Sequence, residues 1–425
     1  MFVIRRAKVD DVPTLLKLAR MVHFINLPPD RDIITQKVTW SRNCFLLAAD
    51  EEAGVVARAP ARPERSRSGG GGGGEGGSAE HGALAAGIRG ITGKSPFFMF
   101  VLEEIETGGV IGTSQIIAKM GGPGQPNVSL QLSRREMFSK SLQMGVTHTV
   151  ARLHLDESGP TEVGGLILQP SFRGHRQKLG RLVALVRFHF MGLHRHLFSD
   201  RVLAEMMGPI SVDGENPFWD YCTRCFINLT YDQADRFCQQ SKEFILTLFP
   251  REDIYLTLLA PEARSVVGQV GEETVPARRM LEGLGFKYFD RIDPFDGGPH
   301  LESPMDQISI VKETFRARLA EPARQSDAAV LKRFGIVSTL DSDGEFRAIQ
   351  TAFDLDRSGR VVLSRESLNL LQSKVGVEAG VTPIPNPDRA LRAAAAAAGA
   401  ARNGKHAVKP AKKKSAAKGS KQAKG

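Results

Sequence analysis

The segment LILQPSFRGHRQKLGRL, residues 166–182, sets Arg173, His175, Arg176 and Lys178 ahead of a helical pattern that takes over near Arg181. Amides in the first turn of a helix lack an intrahelical acceptor and the helix dipole favours negative charge there, so this segment could hold a pyrophosphate. Gly174 and Gly180 would let the backbone approach it. Taken alone, a glycine-containing loop before a helix is more often a structural turn. Glu205 in the apolar strand VLAEM, followed by Glu162 in TEVGG, are carboxylates that could accept a proton. Either could instead be a hydrogen-bonded structural acid. Asp293, Asp296, His300 and Glu302 crowd into DPFDGGPHLE, which reads as a polar turn capped by its own aspartates or as a ligand loop.

Three other patterns imitate metal sites and fail on spacing. Cys222 and Cys225 form a CxxC with no second pair to complete a tetrahedron, and read as small residues packed along one helix. Asp354, Asp356, Ser358 and Gly359 sit as in a calcium loop, but position twelve is Arg365, so a hairpin turn between FRAIQTAF and RVVLS is the better reading. His189, His194 and His196 share one predicted helix without a common face, and read as surface or edge residues. No metal is expected.

Alternating strands and helices must position these groups. FVIRR reads as a strand and DDVPTLLKLARMV as a helix, with Asp10 as cap, Pro13 in the first turn, and Leu15, Leu16, Leu18 and Ala19 on the buried side. FFMFVLEE and VIGTSQIIA flank IETGG as an antiparallel hairpin. VGGLILQP and RVLAEM read as strands on either side of a helix whose Leu182, Leu185, Val186 and Phe190 share a face. VPARRMLEGL is a helix leading into the strand FKYFDRI. NPFWDYCTRCFINLTY shows the same order of amphipathic helix, turn and aromatic-led strand, which suggests a duplicated or half-duplicated α/β unit.

The net charge of +10 would suggest a polyanionic partner, but residues 385–425 contain eleven of the basic residues and one aspartate. The remaining body has 46 basic and 46 acidic residues, so nucleic acid is not expected to bind except through the basic tail. Four scattered cysteines exclude a disulfide scaffold, and no apolar run is long enough to span a membrane. With no signal-peptide pattern at the start, the chain reads as cytoplasmic and not membrane-bound.

Hairpin, strand, loop, helix, strand and a helix with an LGF-type ending is an order that resembles the GNAT-type acyl-CoA N-acyltransferase fold. FVLEEIETGGVIGTS, RVLAEMMG, NPFWDYC, the run EARSVVGQVGEETVPARRMLEGLGFKYFDRIDPFDGGPHLE and the late FRAIQTAFDLDRSGRVVLSRESLNLLQSKVGVE resemble, in the same order, the arginine N-succinyltransferase family. The resemblance implies succinyl-CoA as co-substrate, L-arginine as acceptor and a homo- or hetero-oligomer. An acceptor such as ornithine or another amine, and a non-catalytic acyl-CoA-binding subunit, stay open as alternatives. It places Leu166 at the succinyl-CoA contact, with Leu168, Arg173, Gly174, Arg176, Gly180 and Arg181 along the cofactor. Asp293, Asp296 and Glu302 would then clamp a guanidinium, with His300 donating to the acceptor's carboxylate.

Two departures accompany the resemblance. Arg173 and Gly180 are too far apart for the usual acyltransferase loop, with Lys178 where its inner glycine would fall. Gly271 stands where the family has a histidine proton donor, so Glu272 or Glu273 takes that role, catalysis relies on other residues, or the substrate has changed. The expected architecture is α/β, a tandem or one-and-a-half copy GNAT-like fold with a small C-terminal β-rich unit. Residues 1–210 would form an acyltransferase-like domain with a disordered glycine-rich insertion at about 53–94. A second half would follow at 211–320, the β-rich unit at 330–384, and a disordered Lys/Ala-rich tail at 385–425.

Overall fold

Phe97–Leu102 is apolar at every position and every side chain in it is buried, so the strand that carries it needs cover on both faces. The computed structural model provides that cover; it describes residues 1–21, 27–58, 95–211, 214–238, 241–324 and 331–386. The helices α1 (Val12–Ala19) and α2 (Arg31–Arg58) lie over one side of this strand, packing Leu15, Leu18 and Val38 against Phe97, Met99 and Val101. The helix α3 (Leu179–Leu193) covers the other side, where Phe98 and Phe100 meet its Phe190 together with Phe45, from the part of α2 that reaches round to this face, with ring centroids 4.8–5.5 Å apart. Edge-to-face contacts of this kind add about 1 kcal/mol each beyond area burial.

The strands are β1 (Phe2–Arg6), β2 (Phe97–Glu104), β3 (Gly109–Ile117), β4 (Asn127–Ser139), β5 (Met144–Asp156), β6 (Thr161–Leu168) and β7 (Arg201–Glu205). They continue as β8 (Ile254–Tyr255), β9 (Lys287–Ile292), β10 (Pro299–Pro304), β11 (Phe315–Arg318), β12 (Arg333–Leu340), β13 (Phe346–Leu355), β14 (Val361–Val362) and β15 (Glu378–Pro383). All belong to one sheet in the order β11-β15-β12-β13-β1-β2-β3-β6-β7-β10-β9-β4-β5-β8, with β14 paired to β13. Strands β12 to β15 lie in the stretch read as a small β-rich unit, and they extend the common sheet because β13 pairs with β1.

One junction in this sheet differs from the rest. β6 and β7 are parallel and pair only at Thr161 with Val202 and at Glu162 with Leu203. Beyond those residues the two strands separate, and the β7-facing backbone of β6 from Val163 onward has no strand partner among the described residues. A bulge reinforces the separation: Gln115 opposes Gly164 while Thr113 opposes Ile167. Gly165 sits in that bulge at φ +56°, and a Cβ there would meet the Gln115 side chain at 2.5 Å, so only glycine fits.

The hairpin β2–β3, the helix Val275–Leu284 and the strand β9 stand where the sequence pattern puts them. Four local readings differ. Asp10 is exposed and caps nothing; Asp11 does the work, accepting from the Lys8 amide at 2.7 Å and bracing the buried Arg5 guanidinium. Leu16 is half-buried, and Val12 takes its place on the inner face. His189 and His194 are fully buried rather than facing solvent, and the imidazole of His189, hydrogen-bonded to Thr382 and Ser338, ties α3 to β15 and β12. The strand expected at FINLTY is absent: helix continues to Ile227, Asn228 turns left-handed, and a new helix Tyr231–Cys238 begins. The acidic loop after Leu355 is the expected hairpin turn, with Asp356 accepting from Ser358 and Arg360. The glycine-rich insertion from residue 59 on and the tail from residue 387 on lie outside the described residues.

Candidate active site

The divergence of β6 from β7 opens a cleft of about 540 Å³, within the size range of small-molecule sites. One wall is β6 itself, Val163 to Leu168, and the opposite wall is Ala204 to Met207. Thr274, Pro276, Ala277, Met280 and Leu281, at and within the helix Val275–Leu284, close a third side.

The mouth is basic. Arg173, His175, Lys178 and Arg181 line it, around the first turn of α3 where the Leu179 and Gly180 amides have no intrahelical acceptor. Lys178 adopts φ +54°, ψ +48° as the cap of α3. The residue in the inner glycine's place therefore takes the left-handed geometry itself, at a cost of about 1 kcal/mol. Arg173 pairs with Glu273 at 3.0 Å, with both side chains largely exposed. Such a pair is readily exchanged for a phosphate partner.

The floor is acidic and buried. Glu205 ends β7, and antiparallel pairing sets it opposite His300 of β10. His300 Nε2 has no hydrogen-bond partner among the described residues and lies 3.9 Å from Glu205 Oε1 and 3.9 Å from Asp293 Oδ2. Asn127 Nδ2 donates to Glu205 Oε1 at 3.0 Å and fixes the carboxylate. Asp296 accepts from the Gly298 amide at 2.7 Å and the Gly208 amide at 2.8 Å, stitching its loop to the end of β7. The approach is so close that a Cβ on Gly298 would fall 2.0 Å from the Met206 carbonyl oxygen. Trp219 stacks on Phe295 at 4.9 Å and holds the loop from behind.

Burial, then Asp293, pushes the Asp296 carboxyl up to about 7 against the pull of its two amide donors. Burial, then Asp232 and Asp293, pushes Asp235 to about 6. Tyr231 is raised well above its usual value by burial and then by Asp296 and Asp293. Burial would lower His300, but Glu205, Asp293 and Asp296 outweigh it and raise the imidazole. Burial is the largest influence on Asp296, Asp235 and Tyr231, and the neighbouring acidic groups add to it, while Lys242, which burial would lower but Glu205 and Asp293 raise, sets one positive charge beside them. The surplus of carboxylates favours a cationic ligand. Glu205, Asp293 and His300 also offer ligand atoms all within 4.8 Å of one another, a donor set that could hold a metal ion.

Of the residues singled out in the sequence, the structure brings Leu166, Leu168, Arg173, Gly174, Gly180 and Arg181 to the mouth and wall, and Glu205, Asp293 and Asp296 to the floor, with His300 behind them. Four do not reach the cleft. Glu302 is held by Arg201 and Arg291 at 2.8 Å each in a structural ion network. Arg176 points to solvent, and Glu272 is exposed while its neighbour Glu273 faces the mouth. Glu162 is buried in the part of β6 that still pairs with β7, ahead of the opening. Asn127, Tyr231, Asp235 and Arg187 carry no sequence signal of their own and become visible only in three dimensions.

Residues 86–310 match the family described as arginine N-succinyltransferase beta subunit. The chain belongs to the arginine N-succinyltransferase family. It is 35% identical over 225 residues to an arginine N-succinyltransferase of Enterobacter sp. (strain 638), covering 53% of this chain and 64% of that relative's length. It is 33% identical over 282 residues to one from Escherichia coli (strain 55989 / EAEC), covering 66% of this chain and 79% of the relative. Its fold matches a solved structure described as arginine/ornithine succinyltransferase subunit AI from Pseudomonas aeruginosa, with a TM-score of 0.67, 23% identity, and 91% of this chain and 99% of that one covered. The α/β architecture is thus of the GNAT type expected for an arginine N-succinyltransferase family member. No helix among the described residues is long and apolar enough to cross a membrane.

Proposed function

We propose that this chain transfers the succinyl group of succinyl-CoA to the α-amine of L-arginine. The observation that carries this reading is the polarity of a single cleft, basic at the mouth and acidic at the floor, laid along an unpaired strand edge. In this reading the diphosphate of coenzyme A rests on the Leu179 and Gly180 amides, with Arg173, Lys178 and Arg181 around it. The pantetheine arm runs along β6 past Leu168 to Leu166, borrowing the backbone groups that β7 leaves unpaired.

The acceptor's guanidinium meets Asp293 and Asp296, the second of which burial, then Asp293, has raised towards its protonated form. His300, buried behind Glu205 and Asp293 and absent from the cleft lining, supports those two carboxylates instead of meeting the acceptor. An α-ammonium with a pKa of about 8 has no lone pair to attack with until it loses a proton, and Glu205, oriented by Asn127, takes that proton. The amine nitrogen adds to the thioester carbonyl carbon, free backbone amides of β6 stabilise the oxyanion, and collapse breaks the C–S bond. The departing group is a thiolate, whose conjugate acid has a pKa of about 8.5. It can leave without prior protonation, which accounts for a family member that has glycine at 271.

Gly271 also favours a second reading, an acyl-CoA-binding subunit without turnover. Thiol release from succinyl-CoA, measured against a panel of amino acids including ornithine, separates the two. Release with arginine supports transfer; coenzyme A binding without release for any amine supports the second reading.

A further inference from the structure

Three arginines among the described residues are buried: Arg5, Arg6 and Arg187. Arg5 is met by Asp11 and Glu103, and Arg6 by Glu345. Arg187, on α3 and 2% exposed, has no carboxylate within ion-pair distance among the described residues. Its Nε donates to the Ala184 carbonyl at 3.1 Å and its Nη1 to the Gly164 carbonyl at 3.4 Å. A guanidinium offers five donors and retains its charge, so one buried against two backbone carbonyls is left under-satisfied until an anion arrives. Burial alone pushes Arg187 down to about 9.

Its position says which anion. Arg187 lines the cleft, and Gly164 lies where β6 has just parted from β7, at the end of the exposed edge away from the basic mouth. A thioester laid along that edge from Leu168 towards Gly164 would deliver the far end of its acyl chain to this guanidinium. A second buried donor stands close by: Gln115, 2% exposed and with no partner for its Nε2 among the described residues, packs against Gly165.

We propose that Arg187 is a subsite for the free carboxylate of a dicarboxylic acyl thioester, and selects such donors over neutral ones of equal length. The proposal rests on the transfer reading above and sharpens it. It is tested by comparing succinyl-CoA with butyryl-CoA, which differ only in carboxylate against methyl, in the full chain and its Arg187→Met and Arg187→Lys variants. The ratio of kcat/KM for the two donors should fall about 100-fold in Arg187→Met, with Arg187→Lys in between. An equal loss for both donors, as a purely structural role requires, or an unchanged ratio, overturns it. Should Arg187→Met fail to fold, the wild-type chain still decides: equal efficiency with succinyl- and butyryl-CoA sinks the subsite. If the wild type releases thiol from neither donor, the transfer reading fails by itself. Calorimetric affinities of the wild type then settle the subsite, with preference for succinyl-CoA over butyryl-CoA supporting it and equality overturning it.

Discussion

The mouth and the floor of the cleft carry opposite charge, and they are built in different ways. The mouth draws its charge from a loop: Arg173 and Lys178 are exposed, and Arg173 holds a partner, Glu273, that solvent already weakens. The floor draws its charge from strand ends and a loop sewn to them, with Asp296 gripped by two amides and Glu205 by Asn127. Each mouth residue is replaceable and its contribution is screened by salt, whereas each floor residue is held in place by others and its loss is felt by all of them. A diphosphate is a large anion that any cluster of donors can steady. A proton transfer needs one carboxylate in one place.

The largest effect expected from breaking this contrast is at Glu205. Glu205→Gln keeps the bond to Asn127 through its amide oxygen but removes the base, and should lower kcat by about 10²- to 10⁴-fold with little change in the KM for succinyl-CoA. Steady-state kinetics with both substrates varied would show it. Next is Gly298→Ala, whose methyl group would meet the Met206 carbonyl at 2.0 Å. Thermal denaturation should show a loss of about 3 kcal/mol or more, because the loop cannot retreat without losing Asp296. The double change Arg173→Ala, Arg181→Ala should raise the KM for the acyl donor by about tenfold and flatten its dependence on salt while kcat holds.

Smaller effects sharpen the same comparison. The His300 imidazole is raised, so the stability it gains from Glu205 and Asp293 is complete below its usual pKa of about 6.5 and disappears as pH rises through the raised value. The melting difference between wild type and His300→Gln should therefore be widest near pH 6 and narrow at alkaline pH. Gly271 has φ −59°, and a Cβ there finds its nearest neighbour, the Gly208 carbonyl oxygen, at 3.4 Å. Gly271→His should be accommodated and change kcat by less than about threefold, since a thiolate leaves unaided. A tenfold gain would instead mean that leaving-group protonation limits the enzyme.

What the sequence could reveal follows from how local each feature is. The helix Val275–Leu284 and β9 were legible because proline at the start, Gly285 at the end and the apolar spacing all lie within one window. The basic loop before α3 was legible for the same reason. The burial of His189 has no local sequence signal because it comes from Thr382 and Ser338, far along the chain. Glu302 looked like a substrate clamp until Arg201, brought alongside by the β7–β10 pairing, claimed it. Asp235 and Asn127 join the floor through contacts that no spacing rule encodes. The strand expected at FINLTY failed because Asn228, tolerant of the left-handed region, ends one helix and lets another begin.

A crystal structure of the chain with coenzyme A and arginine both bound tests the two-ended cleft most directly. The account predicts diphosphate oxygens on the Leu179 and Gly180 amides and an arginine α-nitrogen within hydrogen-bond reach of Glu205. Coenzyme A found with its diphosphate away from residues 173–181, or arginine bound outside the Glu205, Asp293 and Asp296 pocket, would contradict it.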